Sequence, residues 1–283
     1  TRNLVRRELF PAAAALNALL RQTGAVIGPA LAGLIISRFN LSLAYWLDAT
    51  TYGAALLAVT LLPPQPPKGG GRVAGWTSFR EGIHYLRGRP VVQGILLIDI
   101  DAMVFGMPRA LFPALGLTVF RGGAQAVGLL FAAPAAGALI GAAGSGWVGH
   151  IARPGRAVLV MVGLWGVAIT IFGLSPWLPI ALLMLAFAGW ADIISEVLRS
   201  SMLQLSTPDN LRGRITAVWL AQTNSSPRLG DVESGLVASF SNAQVSATTG
   251  GIACIAGVLA LTWLLPAFRQ FRLEKAGVSE TDT

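Results

Sequence analysis

Apolar residues recur along this chain in runs of membrane-spanning length, separated by short polar or basic breaks. A helix that crosses a bilayer needs about 20 mostly apolar residues. Seven runs fit: Pro11–Phe39, Leu43–Leu62, Val91–Phe112, Ala126–Val148, Ala157–Leu174, Leu178–Ser200 and Thr248–Phe268. The fourth is rich in Gly and Ala, which lets helices approach closely. An eighth segment, Ile215–Phe240, carries Gln222, Asn224, Pro227, Arg228, Asp231 and Glu233, and hydropathy alone rejects it.

The basic residues rescue it. With eight spans, one side collects Arg2, Arg6 and Arg7, the cluster from Lys68 to Arg89, Arg153 and Arg156, Arg212 and Arg214, and Arg269, Arg272 and Lys275. The other side keeps little more than Arg38 and Arg121. Cytoplasmic loops concentrate Lys and Arg. Dropping the polar segment would send the basic C-terminal tail outside, so both chain ends are expected in the cytoplasm. A polar helix at membrane depth must face protein or a water-filled cavity.

Pro63–Gly71, rich in Pro and Gly, is the clear linker, expected between two helical bundles. After it, Ser78–Arg89 sets Phe79, Ile83 and Leu86 at helical spacing among arginines, as in a helix lying on the membrane surface. The expected divisions are 1–62, two helices of a first bundle; 63–89, a cytoplasmic linker; 90–268, a six-helix bundle; and 269–283, a cytoplasmic tail.

Composition agrees. Hydrophobic residues make up 54% and charged residues 12% of the 283, against roughly 25% charged in soluble chains. The net charge of +8 is spread over the ends of apolar runs, so it argues for topology and against nucleic-acid binding. Arg far outnumbers Lys, a bias that suggests a bacterial source and hence the inner membrane. Cys254, the only cysteine, lies in an apolar run and reads as a small buried hydrophobe; His84 and His150 are far apart, and no metal site is expected. No phosphate-binding Gly-Lys loop and no nucleophile or metal-helix motif occurs, so neither a cofactor nor enzymatic activity is expected.

Gly24-Ala25-Val26-Ile27-Gly28-Pro29-Ala30-Leu31-Ala32-Gly33 resembles the antiporter motif on the fifth helix of major facilitator superfamily drug exporters, G-x-x-x-G-P-x-x-G-G, with Ala32 in place of one Gly. Gly24, Gly28 and Gly33 are small enough for tight helix crossing, and Pro29 removes a backbone hydrogen bond. Thr207–Arg214, with Arg212, Gly213 and Arg214, looks like the loop before the eleventh helix in the enterobactin-exporter-like branch. The resemblance implies helices five to twelve of a twelve-helix transporter, with the N-terminal part missing. It also implies export of a small molecule, a siderophore or amphipathic drug, by proton-coupled alternating access. A truncated, non-transporting scaffold or partner subunit is the alternative. The oligomeric state stays open.

Seven of the thirteen acidic residues fall in the spans: Asp48, Asp99, Asp101, Asp192, Glu196, Asp231 and Glu233. Ionisable groups in lipid cost roughly 2.5–3.5 kcal/mol on insertion scales and mark proton paths. Asp99 and Asp101, two apart, point to nearly opposite faces at about 100° per residue. Proton carrying and structural hydrogen bonding stand open for both, as does coupling for Asp192. Asp192, Glu196 and Arg199 share one helix face, where Glu196 and Arg199 are expected to form an interfacial gate pair. Arg228 and Asp231, three apart, could pair with each other or with a neighbouring helix, and Arg228 could meet substrate.

Overall fold

The structure, a computed structural model, describes residues 10–61, 86, 88–207 and 209–272. The linker Pro63–Gly71, all but three residues of the expected surface helix, and the tail beyond Arg272 lie outside them.

Helices account for nearly all of the described residues, and no strand occurs among them. Eight long helices run in order: α1 Phe10–Arg38, α2 Leu41–Thr60, α3 Pro90–Phe105, α4 Gly123–Ala143, α5 Pro154–Leu174, α6 Leu178–Ser206, α7 Asp209–Phe240 and α8 Ala243–Leu264. Among the described residues, five stretches are long and apolar enough to cross a membrane: Pro90–Val119 and helices α4, α5, α6 and α8. Among the side chains described in α1, Thr23–Arg38 forms a shorter apolar stretch. The polar eighth segment forms one continuous helix, α7, with Pro227 inside it.

The starts follow local chemistry. Asn40 caps α2, its Oδ1 accepting from the Leu43 N–H at 2.8 Å, and Asn242 caps α8 through the Val245 N–H at 2.9 Å. Pro90 and Pro154 open α3 and α5, where a missing N–H costs nothing.

The third run is longer than expected and not continuous. After Gly106 it passes through a 3-10 turn at Arg109–Leu111, one α turn at Phe112–Ala114 and a π turn at Leu115–Val119. Pro108 and Pro113 cause the break, since neither can donate to a helical ladder. The Gly106 carbonyl left at the break accepts from Trp165 Nε1 on α5 at 2.8 Å. Irregular backbone at membrane depth survives where protein satisfies it.

Helices α3 to α8 pack around one core that includes Ile95, Ile98, Val162, Trp165, Leu185 and Met202. Small residues set the closest crossings. A Cβ on Gly137 of α4 would lie 1.7 Å from the Ala186 carbonyl oxygen of α6, and one on Gly189 would lie 1.9 Å from that of Pro134. Helix α1 lies on α4, and α2 touches α1 while burying none of its own residues.

Candidate functional site

Four side chains from three helices meet inside the packed helices. Arg199 of α6 is 2% exposed, and Asp99 of α3 is buried with it. Nη1 of Arg199 donates to Asp99 Oδ1. Nη2 reaches Asp192 Oδ1, two turns earlier on α6, at 3.5 Å. From α7, Gln222 Nε2 donates to Asp99 Oδ2 at 2.8 Å and to the Leu96 carbonyl at 3.0 Å. Asp99 therefore joins three helices through its two oxygens.

This corrects the expected gate pair. Arg199 turns to Asp99 and Asp192, and Glu196 makes no ion pair among the described residues. The spacing on α6 did place all three groups on one face. A buried guanidinium, however, needs a carboxylate already withdrawn from water, and Asp99 supplies one. Glu196 is exposed.

Asp192 and Glu196 both line a cavity of about 390 Å³. Its other walls come from Ala25 and Pro29 of α1, the broken segment Gly106–Arg109 with Phe112, Phe131 of α4, and Trp165 of α5. Pro29 of the Gly-Pro motif thus faces the same space as the α6 carboxyls.

The motif divides into two parts. A Cβ on Gly33 would come within 2.7 Å of the Ala124 carbonyl oxygen, and one on Gly128 of α4 within 2.4 Å of that of Pro29. The tight crossing therefore sits at Gly33. Gly24 and Gly28 face open space and do not support a close crossing here.

Asp99 and Asp101 do point apart. Asp101 is buried against α8, where a Cβ on Gly257 would lie 1.9 Å from its Oδ1. Its Oδ2 has no hydrogen-bond partner. Cys254 is free and fully buried in the core, with its Sγ 4.0 Å from the Val162 carbonyl. Asp101 takes no part in the cavity wall.

Arg228 is exposed, Asp231 is half-buried, and no ion pair joins them. An exposed pair gains little against the entropy of holding two long side chains. Between them Gly230 fits α7 against the Met103 and Val104 carbonyls of α3. Gly213 lies in open space, while the side chains of Arg212 and Arg214 fall outside the described ones. Gln222 is the site residue that spacing did not single out. Its one signal was an amide within a helix of membrane depth.

Residues 1–277 match the family described as transmembrane secretion effector, within the major facilitator superfamily. The chain belongs to this family. It is similar to the enterobactin exporter EntS of Citrobacter koseri, 33% identical over 269 residues, covering 95% of this chain and 64% of that protein. The same exporter from Escherichia coli O81 is 34% identical over 281 residues, covering 99% and 67%. That from Shigella boydii serotype 18 is likewise 34% identical over 281 residues, with the same coverage. The chain spans about two thirds of the length of these curated relatives. Family and helices together make it a multi-pass bacterial membrane protein of a transporter family, and its relatives are not enzymes.

Proposed function

We propose that this chain is the greater part of a proton-coupled exporter of small molecules. The observation that carries the reading is Arg199, buried between Asp99 on α3 and Asp192 on the cavity wall. A guanidinium beside a carboxyl favours release of its proton, and withdrawal of the guanidinium favours uptake. In this reading a proton arrives on an Asp192 oxygen from the cavity. The neutral carboxyl then holds Arg199 less strongly, and Arg199 rests on Asp99 alone. Movement of α6 against α3 and α7 follows that change, and the Gly33–Gly128 crossing is the contact about which α1 and α4 rock. Asp101 serves the packing of α3 on α8, and Glu196 serves the cavity. Arg228 and Asp231 lie at the edge of the path.

The basic loops support an arrangement with both chain ends in the cytoplasm. Helices α1 and α2 then belong to one bundle and α3 to α8 to the second, with substrate moving between them. The relatives' enterobactin export supports a small-molecule cargo.

Everted membrane vesicles holding the full-length protein test the coupling. Substrate uptake is expected to rise when an inward-acid gradient is imposed and to collapse when a protonophore removes it. Uptake that ignores the protonophore overturns the reading.

A further inference from the structure

Two polar atoms beside the buried ion pair have no partner. Arg199 gives Nη1 to Asp99 and reaches Asp192 with Nη2 at 3.5 Å, a long contact. Its Nε is buried and finds no acceptor among the described residues. Ser195, one turn earlier on α6, is fully buried, and its Oγ has no partner either. The large majority of buried polar side-chain atoms have at least one partner. Two exceptions on one turn of one helix complement each other here, since Nε–H donates and a hydroxyl oxygen accepts.

Helix geometry brings the two within reach. Residues four apart are neighbours on a helix surface, and long side chains lean toward the N-terminus of their own helix. Arg199 leans that way, since it contacts Asp192 about 10 Å back along α6. The stem that makes this reach passes the turn that holds Ser195, and Nε lies at the end of the stem. The charges acting on the contact are Asp99 from α3, Asp192 and Glu196 from α6, and Arg109 from the broken segment after α3. Helix α7 presents the neutral Gln222.

We propose that Ser195 is a positioning residue, the second seat of Arg199: its Oγ accepts the Nε–H once Asp192 takes up a proton and lets the guanidinium turn. The inference rests on the proton-coupled reading of Asp192 and adds a residue to it. With Asp192 ionised, two carboxylates hold the guanidinium by its Nη groups, and Nε and Oγ stay apart. With Asp192 neutral, the Nη2 contact loses the strength that an ionised acceptor gives it. A turn of the side chain then exchanges that contact for the serine, while Asp99 keeps its hold. Ser195 favours the proton-loaded form, because only that form satisfies its oxygen. The two arrangements are discrete, so a proton on Asp192 becomes a set displacement of a positive charge.

Thermal unfolding of the purified full-length protein tests this without transport. In the parent protein, Ser195→Ala removes a hydroxyl that makes no bond, so the unfolding temperature should hold or rise. Asp192→Asn mimics the proton-loaded carboxyl. In that background the same Ser195→Ala change should lower the unfolding temperature by several degrees, a coupling that a double-mutant cycle reads directly. Equal effects in the two backgrounds overturn the proposal, whether both are losses, as for a hydroxyl bonded in the resting protein, or both are nil. Uptake in everted vesicles supplies a second arm. Ser195→Ala should move the pH midpoint of gradient-driven uptake about one unit toward acid, because the proton-loaded form has lost a hydrogen bond to a charged group. A midpoint that stays in place while gradient-driven uptake persists overturns the proposal and leaves the export reading standing. Coupling of Asp192 and Ser195 in stability without any gradient-driven uptake keeps the second seat and removes the export reading.

Discussion

Gln222 on α7 donates to the oxygen of Asp99 that Arg199 leaves free, 2.8 Å from Oδ2. The same amide nitrogen also reaches the Leu96 carbonyl one turn earlier on α3. A neutral side chain therefore ties a polar helix to a buried ion pair. Gln222→Leu removes both bonds and leaves Oδ2 without its donor. Hydrogen bonds to charged groups contribute about 1.5–3 kcal/mol net. A lower unfolding temperature in detergent is expected, with proton-driven uptake reduced more than substrate binding. Unchanged uptake kinetics would remove Gln222 from the coupling network.

Arg199→Met leaves Asp99 as a buried carboxylate without its cation, held by the Gln222 amide. Breaking one half of a buried pair costs about 3–5 kcal/mol, whereas replacing both halves is often close to neutral. The double variant Asp99→Asn with Arg199→Met should therefore recover much of the thermal stability. It should not recover uptake, since the proton-responsive contact to Asp192 is gone. Recovery of uptake along with stability would assign the pair to packing alone.

Trp165→Phe keeps an aromatic ring in the core but withdraws the donor to Gly106. An unsatisfied buried carbonyl costs about 1–3 kcal/mol. The expected result is a destabilised protein whose broken segment after α3 becomes more open to hydrogen exchange. The affected amides are those of residues 106–112 other than Pro108. Protection equal to the parent protein would show that another donor replaces the indole.

Gly137→Val tests the α4 to α6 crossing. Added methyl groups have no room there, because the Ala186 carbonyl already occupies the Cβ position. Overpacking of this kind costs about 1–3 kcal/mol and more where backbone must move. The same change at Gly28, whose Cβ position is open, should be tolerated in thermal stability. Unfolding temperatures of the two variants in one detergent give the comparison.

The helices were largely legible because their determinants are local. Asn40 and Asn242 announce their caps, Pro90 and Pro154 announce their starts, and charge asymmetry kept α7 when its hydropathy argued against it. The break in the third run was less visible. Pro108 and Pro113 mark it, yet the π turn depends on packing against α4, which no local pattern encodes. Partner choice at the site was the least legible. Helical spacing put Asp192, Glu196 and Arg199 on one face and set Asp99 and Asp101 on opposite ones. It could not say that Arg199 would reach across to α3, because that depends on which two helices become neighbours.

The pair between Asp99 and Arg199 also bears on how the chain is made. The two residues are 100 positions apart. During synthesis Asp99 reaches the bilayer while Arg199 has yet to be added to the chain. The insertion step for α3 therefore relies on Ile95, Leu96, Leu97 and Ile98, whose transfer into lipid offsets a carboxyl that is still unmatched. The ion pair that rivets the finished protein is a late event in its biogenesis. Helix α3 must wait beside the insertion machinery, or among its own neighbours, until α6 arrives to complete it.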